Sequence, residues 1–313
     1  MITTMTFRNG LKAGLQTAWQ LGKIIFPITF IVSVLQYTPV IGWIEQLFAP
    51  VMGLVGLNGE AAIVLALGTL VNLYAAIGAI LGLTLSIKQI FILAVMLSFA
   101  HNLIIESVVA RKVGVSAWLM ALIRLVLAFL MAALVNLVYQ GGSEIVHHGG
   151  VIAASADPTW QAILYLAFMK AVSGILRMLM IVLPVMLFIQ VLKDIHVLQK
   201  LARLMQPFTK LLGVHPNSAV AFLAGLIFGL AYGAGVMIQA AEEEGLSKKD
   251  LYLMSFFLVA CHAIVEDTLV FLPLGINVLP LLLLRFSVAL VMTVIISRVW
   301  KRIELNRMAV AKG

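Results

Sequence analysis

The segment Ser98–Lys112, SFAHNLIIESVVARK, places polar residues inside a run of apolar ones. A second segment, FFLVACHAIVEDTLVF at 256–271, has the same arrangement. In each segment a histidine, His101 or His262, precedes an acidic residue by five positions. Because charged groups are costly in an apolar helix, their recurrence indicates an internal repeat with a polar centre.

The composition excludes a water-soluble fold. Apolar residues make up 63% of the chain and charged residues only 11%, whereas in soluble domains about a quarter of all residues are charged. We therefore expect an all-α polytopic membrane protein that has the lipid bilayer as a partner and binds no nucleic acid. Apolar segments of about 20 residues, enough to span a bilayer, occur at 20–38, 88–110, 116–138, 162–192, 249–272 and 278–300.

The two halves of the chain repeat each other along their whole length. We expect one repeat over 1–139, a polar extracytoplasmic linker over 140–159, and a second repeat over 160–313. At one constant offset, lengthened once by a short insertion, the aligned pairs are Pro27 with Pro184, Pro50 with Pro207, Gly68 with Gly225, Gly78 with Gly235, Ser86 with Ser247, Lys88 with Lys249, His101 with His262, Glu106 with Asp267, and Arg124 with Arg285.

The distribution of basic residues predicts the orientation of the two repeats. Lys and Arg mark the cytoplasmic side of a membrane, and both termini are basic while the linker contains neither residue. We expect both termini in the cytoplasm, so each half crosses the membrane an odd number of times. The prediction is two inverted-topology repeats, each with three full transmembrane helices, one broken or re-entrant segment and one amphipathic helix. The two amphipathic helices are expected at 41–57 and 196–214.

Glycines and polar residues interrupt the apolar segments 60–84 and 217–241. Asn72, Tyr74 and Tyr232 lie at these interruptions, where freed backbone groups can bind a small solute or ion near the membrane midplane. The alternative interpretation is close packing of helices through small residues. Whether these two segments span the membrane or re-enter it stays open.

Two acidic residues have basic partners at the same separation in both halves. The turns between consecutive helices would place Glu106 near Arg124, and Asp267 near Arg285. We expect two symmetric ion pairs, which either pin a helix hairpin or form a gate that opens during a transport cycle.

The histidines suggest a binding site. On a continuous helix His262 and Glu266 share a face, next to Cys261, and Asn102 and Glu106 share a face in the first half. Imidazole and thiolate bind divalent transition metals, histidine also carries protons near neutral pH, and each histidine can instead hydrogen-bond a neighbouring helix. The candidate metal ligands are His101, His262, Glu266 and Cys261, and the candidate substrate-binding residues are His101, Asn102, His262, Glu266, Asn72, Tyr74 and Tyr232.

The stretch APVMGLVGLNGEAAIVLALGTLVN at 49–72 resembles the gate, or nucleoside-recognition, domain family of bacterial membrane proteins. The second half keeps the pattern loosely as QPFTKLLGVHPNSAVAFLAGLIFG at 206–229. Related modules occur in spore maturation proteins A and B and in the membrane domain of ferrous-iron transporter B. The resemblance implies a membrane transport role in the bacterial cytoplasmic (inner) membrane.

We expect a secondary or passive transporter of a small polar solute or ion. The histidines, Glu266 and Cys261 slightly favour a divalent metal cation over the alternative, a nucleoside-like solute. A non-transporting membrane scaffold or regulatory partner is the alternative from another class. The chain has no phosphate-binding G-x-x-x-x-G-K-[ST] motif and no convincing catalytic set, so we predict no enzyme activity and no cofactor; a homo-oligomer is compatible with the sequence.

Overall fold

Helices form the secondary structure of the computed structural model, which describes residues 4–146, 159–195, 197–229, 235–239 and 246–310. The first half forms α1 (Thr4–Leu35), α2 (Pro39–Gly53), α3 (Ala61–Leu70), α4 (Leu73–Gly82), α5 (Ile87–Ala100), α6 (Leu103–Lys112) and α7 (Ala117–Val138). The second half forms α8 (Trp160–Asp194), α9 (Val197–Leu212), α10 (Ala219–Phe228), α11 (235–239), α12 (Lys248–Ala260), α13 (Glu266–Leu269) and α14 (Val278–Val310). These residues contain no β-strand, and short 3₁₀ turns lie at Pro216–Ser218 and Leu272–Leu274.

Several of these helices are long and apolar enough to cross a membrane. Within the described ranges there are five, or six if the pair Leu204–Leu212 and Pro216–Phe228, bent by 119°, is counted as one span. The protein is therefore an all-helical polytopic membrane protein, as its composition predicts. The five spans are Met5–Leu35, Ile87–Lys112, Ala117–Val138, Trp160–Leu192 and Val278–Glu304.

Three of the candidate spans fall in the first half, where Ile87–Lys112 includes the break between α5 and α6, and two fall in the described part of the second half. Segment 249–272 was expected to be one continuous span, but α12 ends at Ala260 after 13 residues. A span needs about 20 residues. Ala263 has a left-handed backbone with φ of 41°, so the helical hydrogen bonds cannot continue through it.

Both interrupted segments are broken in the structure. In segment 60–84 the chain leaves the helix at Val71, and Asn72 is extended before α4 begins. In segment 217–241, α10 ends at Gly229, whose φ of 88° is one that glycine adopts without steric cost. Breaks inside such apolar segments expose backbone groups that protein or a wet cavity must cover.

The chain clusters into two compact units, and each unit contains parts of both halves of the sequence. Unit 1 consists of Met1–Leu103, Leu125–Ile195 and Glu266–Leu281. Unit 2 consists of Ile104–Arg124, His196–Val265 and Leu282–Gly313.

Unit 1 is built on the packing of α1 against α8. Gly10 of α1 lies against Leu187 of α8, and Gly14 lies against Leu183. Residue numbers rise along one helix as they fall along the other, so the two helices are antiparallel. Small residues at such contacts let helix backbones approach closely.

Helix α4 packs on this pair and is buried along most of its length. The hydroxyl of Thr29 in α1 donates a hydrogen bond of 2.9 Å to the carbonyl oxygen of Gly78 in α4. Leu81 of α4 lies against Gly174 of α8. These contacts fix the second half of α4, the helix that follows the break at Asn72, within unit 1.

Aromatic side chains hold unit 2 together. Phe208, Phe222, Phe257 and Phe286 come from four different helices, and the rings of Phe222 and Phe257 lie 4.9 Å apart. Tilted and edge-on aromatic pairs at such distances add to the stabilisation gained by burying the rings. The cluster fixes α12, which ends at Ala260, two residues before His262.

A glycine at the turn between α2 and α3 gives a first testable prediction. A Cβ on Gly59 would lie 2.7 Å from the Cα of Glu45 and would overlap its carbonyl oxygen. Because this is main chain, which cannot rotate away, Gly59→Ala should lower the free energy of unfolding by about 1–3 kcal/mol. Denaturant unfolding of the purified protein measures the change.

Gly53→Ala is the matched control. Gly53 is the last residue of α2, and nothing lies within 4 Å of the position its Cβ would take. Alanine favours helix more than glycine, so Gly53→Ala should leave stability unchanged or raise it slightly. Equal destabilisation by both substitutions would contradict the close approach of Gly59 to Glu45.

Candidate functional site

His101 ends helix α5 within unit 1. Its backbone is extended, and Asn102 next to it has a left-handed φ of 49°. Asparagine tolerates that region better than most residues. The N–H of Asn102 donates to the carbonyl oxygen of Gly68 at 2.9 Å. His101 therefore lies at a break, although segment 88–110 was expected to be one continuous span.

His262 has the same environment within unit 2. Helix α12 ends at Ala260, and Ala263 after the histidine has a φ of 41°. The N–H of Ala263 lies 3.3 Å from the carbonyl oxygen of Gly225, to which it donates. A left-handed alanine costs about 1–2 kcal/mol, and such strain is typical of functional sites.

Gly68 and Gly225 occupy aligned positions, and no role was predicted for them beyond that alignment. A Cβ on Gly225 would lie 2.5 Å from the side chain of Leu258, and a Cβ on Gly68 would overlap that of Leu97. Glycine thus lets each broken segment approach the helix that precedes a histidine. The recurrence of the two glycines in both halves is the signal that could have revealed this role.

Both imidazole rings are fixed by hydrogen bonds to the main chain. Nδ1 of His101 lies 2.6 Å from the carbonyl oxygen of Leu97, and Nδ1 of His262 lies 2.7 Å from that of Leu258. A carbonyl oxygen only accepts hydrogen bonds, so Nδ1 carries a hydrogen in both rings. Nε2 is then the nitrogen that offers a lone pair when the ring is neutral.

Each Nε2 faces a carboxylate from the opposite half of the sequence. In unit 1, Nε2 of His101 lies 3.7 Å from Oδ2 of Asp267. In unit 2, Nε2 of His262 lies 3.3 Å from Oε1 of Glu106. All four residues are buried. Each histidine thus faces the acidic residue of the other half, an arrangement that alignment of the repeats does not reveal.

Two fully buried arginines complete the polar centre of unit 2. Nη1 of Arg124 lies 2.7 Å from Oε2 of Glu106, so the structure brings these two predicted partners together. Nη2 of Arg285 donates a hydrogen bond of 2.9 Å to the carbonyl oxygen of His262. The other predicted pair, Asp267 with Arg285, would join unit 1 to unit 2 and stays a prediction.

Tyr74 and Glu266 form a second polar contact in unit 1. The hydroxyl of Tyr74 donates to Oε1 of Glu266 at 2.6 Å. Beside them, against α8, is a cavity of about 10 Å³, room for roughly one water molecule. Tyr74 comes from the first half and Glu266 from the second, so this contact too joins the two repeats.

Two helix-face predictions are wrong because the helices break. His262 and Glu266 were expected on one face, but the chain is not helical between Ala260 and Glu266. Asn102 was expected to share a face with Glu106, but Asn102 precedes α6 in a left-handed conformation. The i, i+4 rule applies only within a continuous helix.

The remaining candidates have varied surroundings. Asn72 caps α4, since its side-chain oxygen accepts a hydrogen bond of 2.8 Å from the N–H of Ala75. Cys261 is buried at the end of α12 and forms no disulfide. Tyr232, predicted at the second broken segment, lies outside the described residues.

The cap at Asn72 gives a second prediction. Asn72→Ala removes the hydrogen bond to Ala75 and should cost about 1 kcal/mol of stability, as loss of such a cap usually does. Asn72→Ser keeps an acceptor at the same place and should retain most of that stability. Thermal unfolding of both variants distinguishes them, and equal midpoints would exclude a capping role.

Comparison with known proteins places the chain in a family. No solved structure matches it. The uncharacterized membrane protein YvoD of Bacillus subtilis (strain 168) is 52% identical over 297 residues, which cover 95% of each chain. The family model Gate, described as nucleoside recognition, matches residues 18–118 and 175–276. With one match in each half, the chain belongs to the Gate family.

Proposed function

We propose that the protein is a membrane transporter, secondary or passive, of a small polar solute or ion. Its membership of the Gate family and its several apolar spans support a role of this kind. The broken segments within apolar sequence support a binding site near the midplane, as in transporters with discontinuous helices. The site in this proposal lies at the helix break that carries His262 in unit 2, and the break that carries His101 in unit 1 is treated as a separate, aligned position.

Inverted-topology repeats are part of this proposal. Helices α1 and α8 begin the two halves and occupy aligned positions, and within unit 1 they run antiparallel. Antiparallel packing of equivalent helices is what a two-fold axis in the membrane plane would produce. The basic termini and the linker without Lys or Arg support a cytoplasmic location for both ends.

The environment of His262 is the observation that carries the proposal. With its Nδ1 hydrogen directed at Leu258, a neutral ring turns the Nε2 lone pair toward Oε1 of Glu106, 3.3 Å away. Two electron-pair donors facing each other this closely in a buried place are stabilised by a positive charge between them. The arrangement therefore suits the binding of a cation.

A divalent metal cation fits the spacing of these donors. With metal–ligand bonds of about 2.0–2.2 Å, two donors of a tetrahedral site are roughly 3.4 Å apart, close to the observed separation. A proton shared between His262 and Glu106 is the other cation that fits. Arg124 beside Glu106 already supplies one positive charge, which makes cation binding weaker and easier to reverse, as transport requires.

A nucleoside-like solute is the second candidate because the family is described as nucleoside recognition. Asn72, Tyr74 and Glu266 could supply hydrogen bonds to such a solute. However, the cavity beside Tyr74 and Glu266 has room for about one water molecule. A nucleoside would need an opening of this region, so the cation remains the preferred substrate.

A non-transporting scaffold is the alternative of another class. Leu204 and Leu211 of α9 are exposed by 72% and 56%, and they could contact a partner protein. A scaffold needs no selective ligand, whereas a transporter binds its substrate. Ligand binding therefore separates these two classes.

Ligand-dependent stabilisation of the purified protein tests the proposal. A ligand that binds only the folded state raises the free energy of unfolding by about 2.7 kcal/mol at roughly 100 times its Kd. We expect Mn²⁺, Fe²⁺ or Zn²⁺ to raise the thermal midpoint and Mg²⁺, which prefers oxygen ligands, to have little effect. Stabilisation by nucleosides alone would favour the second candidate, and no stabilisation by either class would favour the scaffold.

A further inference from the structure

A groove between α1 and α8 lies outside the candidate functional site. It belongs to unit 1 and has a volume of about 530 Å³, within the range of ligand pockets. Its walls are almost entirely apolar and run from Leu15 to Pro27 on α1, facing Ile175 and Leu179 on α8. Nothing lies within 4 Å of the position that a Cβ on Gly22 would take, so the groove is open beside this residue.

The groove contains one cationic side chain, that of Lys23. Its ammonium group lies over the ring of Trp19, 5.0 Å from the centroid, and Trp19 is 68% exposed. Helix α1 contains no Asp or Glu, and the first acidic residue of α8 is Asp194 near its end. Among the described residues, Lys23 has no carboxylate within salt-bridge distance.

The depth of Lys23 in the membrane suggests which group pairs with its ammonium group. The span Met5–Leu35 is longer than the roughly 20 residues that a bilayer needs, and the apolar run expected to cross begins near residue 20, directly after Trp19. Trp is enriched at the level of the lipid headgroups, and a lysine one turn further on can extend to that level. The cytoplasmic leaflet is the one that attracts basic residues near the membrane surface through its anionic lipids.

We propose that this groove binds an anionic phospholipid. The phosphate group pairs with the ammonium group of Lys23, and an acyl chain lies along the open surface at Gly22. The apolar walls match the acyl chain, and the uncompensated positive charge matches the phosphate. The inference is independent of the proposed transport function, because none of the residues that line the groove belongs to the candidate functional site.

Native mass spectrometry of the purified full chain in detergent tests this proposal. The probes are a phosphatidylglycerol and a phosphatidylcholine with identical acyl chains, which differ only in the headgroup. We expect the wild-type protein to bind the phosphatidylglycerol about tenfold more tightly, a difference of about 1.4 kcal/mol. In Lys23→Gln this preference should disappear. In Gly22→Leu the binding of both lipids should fall, because the added side chain begins in open space, with nothing within 4 Å of its Cβ, and extends into the groove.

Lys12→Gln is the matched control. Lys12 is exposed on the same helix but does not line the groove, so its loss should change the preference by less than about twofold. A wild-type protein that does not distinguish the headgroups would overturn the proposal, as would equal losses in Lys23→Gln and Lys12→Gln. A lipid-free dimer that Gly22→Leu dissociates would assign the groove to a second copy of the chain instead.

Discussion

Arg124→Met is expected to lower the free energy of unfolding by about 3–5 kcal/mol, the usual cost of removing one member of a buried ion pair. The side chain of Arg124 is fully buried and lies 2.7 Å from the carboxylate of Glu106, which is itself buried. Methionine fills a similar space but leaves that carboxylate without its guanidinium. Denaturant unfolding in a mild detergent measures the loss.

Two further variants sharpen this prediction. Arg124→Met combined with Glu106→Gln removes both charges, so it should recover most of the stability lost in the single variant. Arg111→Met removes an exposed charge from α6 and should change stability by less than about 0.5 kcal/mol. A small effect of Arg124→Met on stability, together with a large effect on transport, would favour the gate over the structural role of this pair.

His262→Ala is expected to weaken binding of the stabilising cation by at least about tenfold. Loss of groups around a metal commonly costs 10- to 100-fold in affinity, and a direct ligand should cost no less. At a concentration about 100 times the wild-type Kd, the ligand-induced stabilisation should fall from about 2.7 to about 1.4 kcal/mol or less. The measured quantity is the difference between samples with and without cation, so a change in basal stability does not obscure it.

His215→Ala is the matched control for this variant. His215 is an exposed histidine of unit 2 that caps the turn at Pro216–Ser218. Its replacement should leave the ligand-induced stabilisation unchanged. His101→Ala tests the aligned position, and we expect weaker binding there too because its Nε2 also faces a carboxylate. Unchanged stabilisation in both His262→Ala and His101→Ala would limit the histidines to a packing role.

The sequence predicted those features that depend on composition and local chemistry. Apolar content indicates the membrane, and glycines with Asn72 mark the break between α3 and α4. The opposite charges of Glu106 and Arg124, placed on either side of a short turn, predict a contact that the structure contains. In each case a few neighbouring residues carry enough information to decide the outcome.

The helix breaks at the histidines could not be read from local sequence. The residues around His101 and His262 are mostly apolar and compatible with a continuous helix. The left-handed residues that follow are held by hydrogen bonds to the carbonyl oxygens of Gly68 and Gly225, which are distant in sequence. Tertiary contacts of this kind override local preference. Because the helices break there, the residues predicted to share a helix face do not share one.

The contacts between each histidine and the acidic residue of the other half could not be predicted for the same reason. Alignment of the repeats pairs His101 with His262 and Glu106 with Asp267 by equivalence, and it gives no information about which helices lie side by side. In the structure His262 faces Glu106, and Tyr74 contacts Glu266. Contacts that join two halves of a chain depend on how the halves assemble, a property that residue spacing within one half does not contain.

Uptake of solute into lipid vesicles is the direct test of transport by this protein. The wild-type protein, the His262→Ala variant and the His215→Ala control are reconstituted at equal density, and the entry of radiolabelled Mn²⁺ is followed beside vesicles without protein. We predict that the wild type and His215→Ala fill the vesicles at equal rates, well above protein-free vesicles, and that His262→Ala is slower by at least about tenfold. If wild-type vesicles take up neither Mn²⁺ nor a labelled nucleoside faster than protein-free vesicles, the protein does not transport these solutes and the scaffold alternative is preferred.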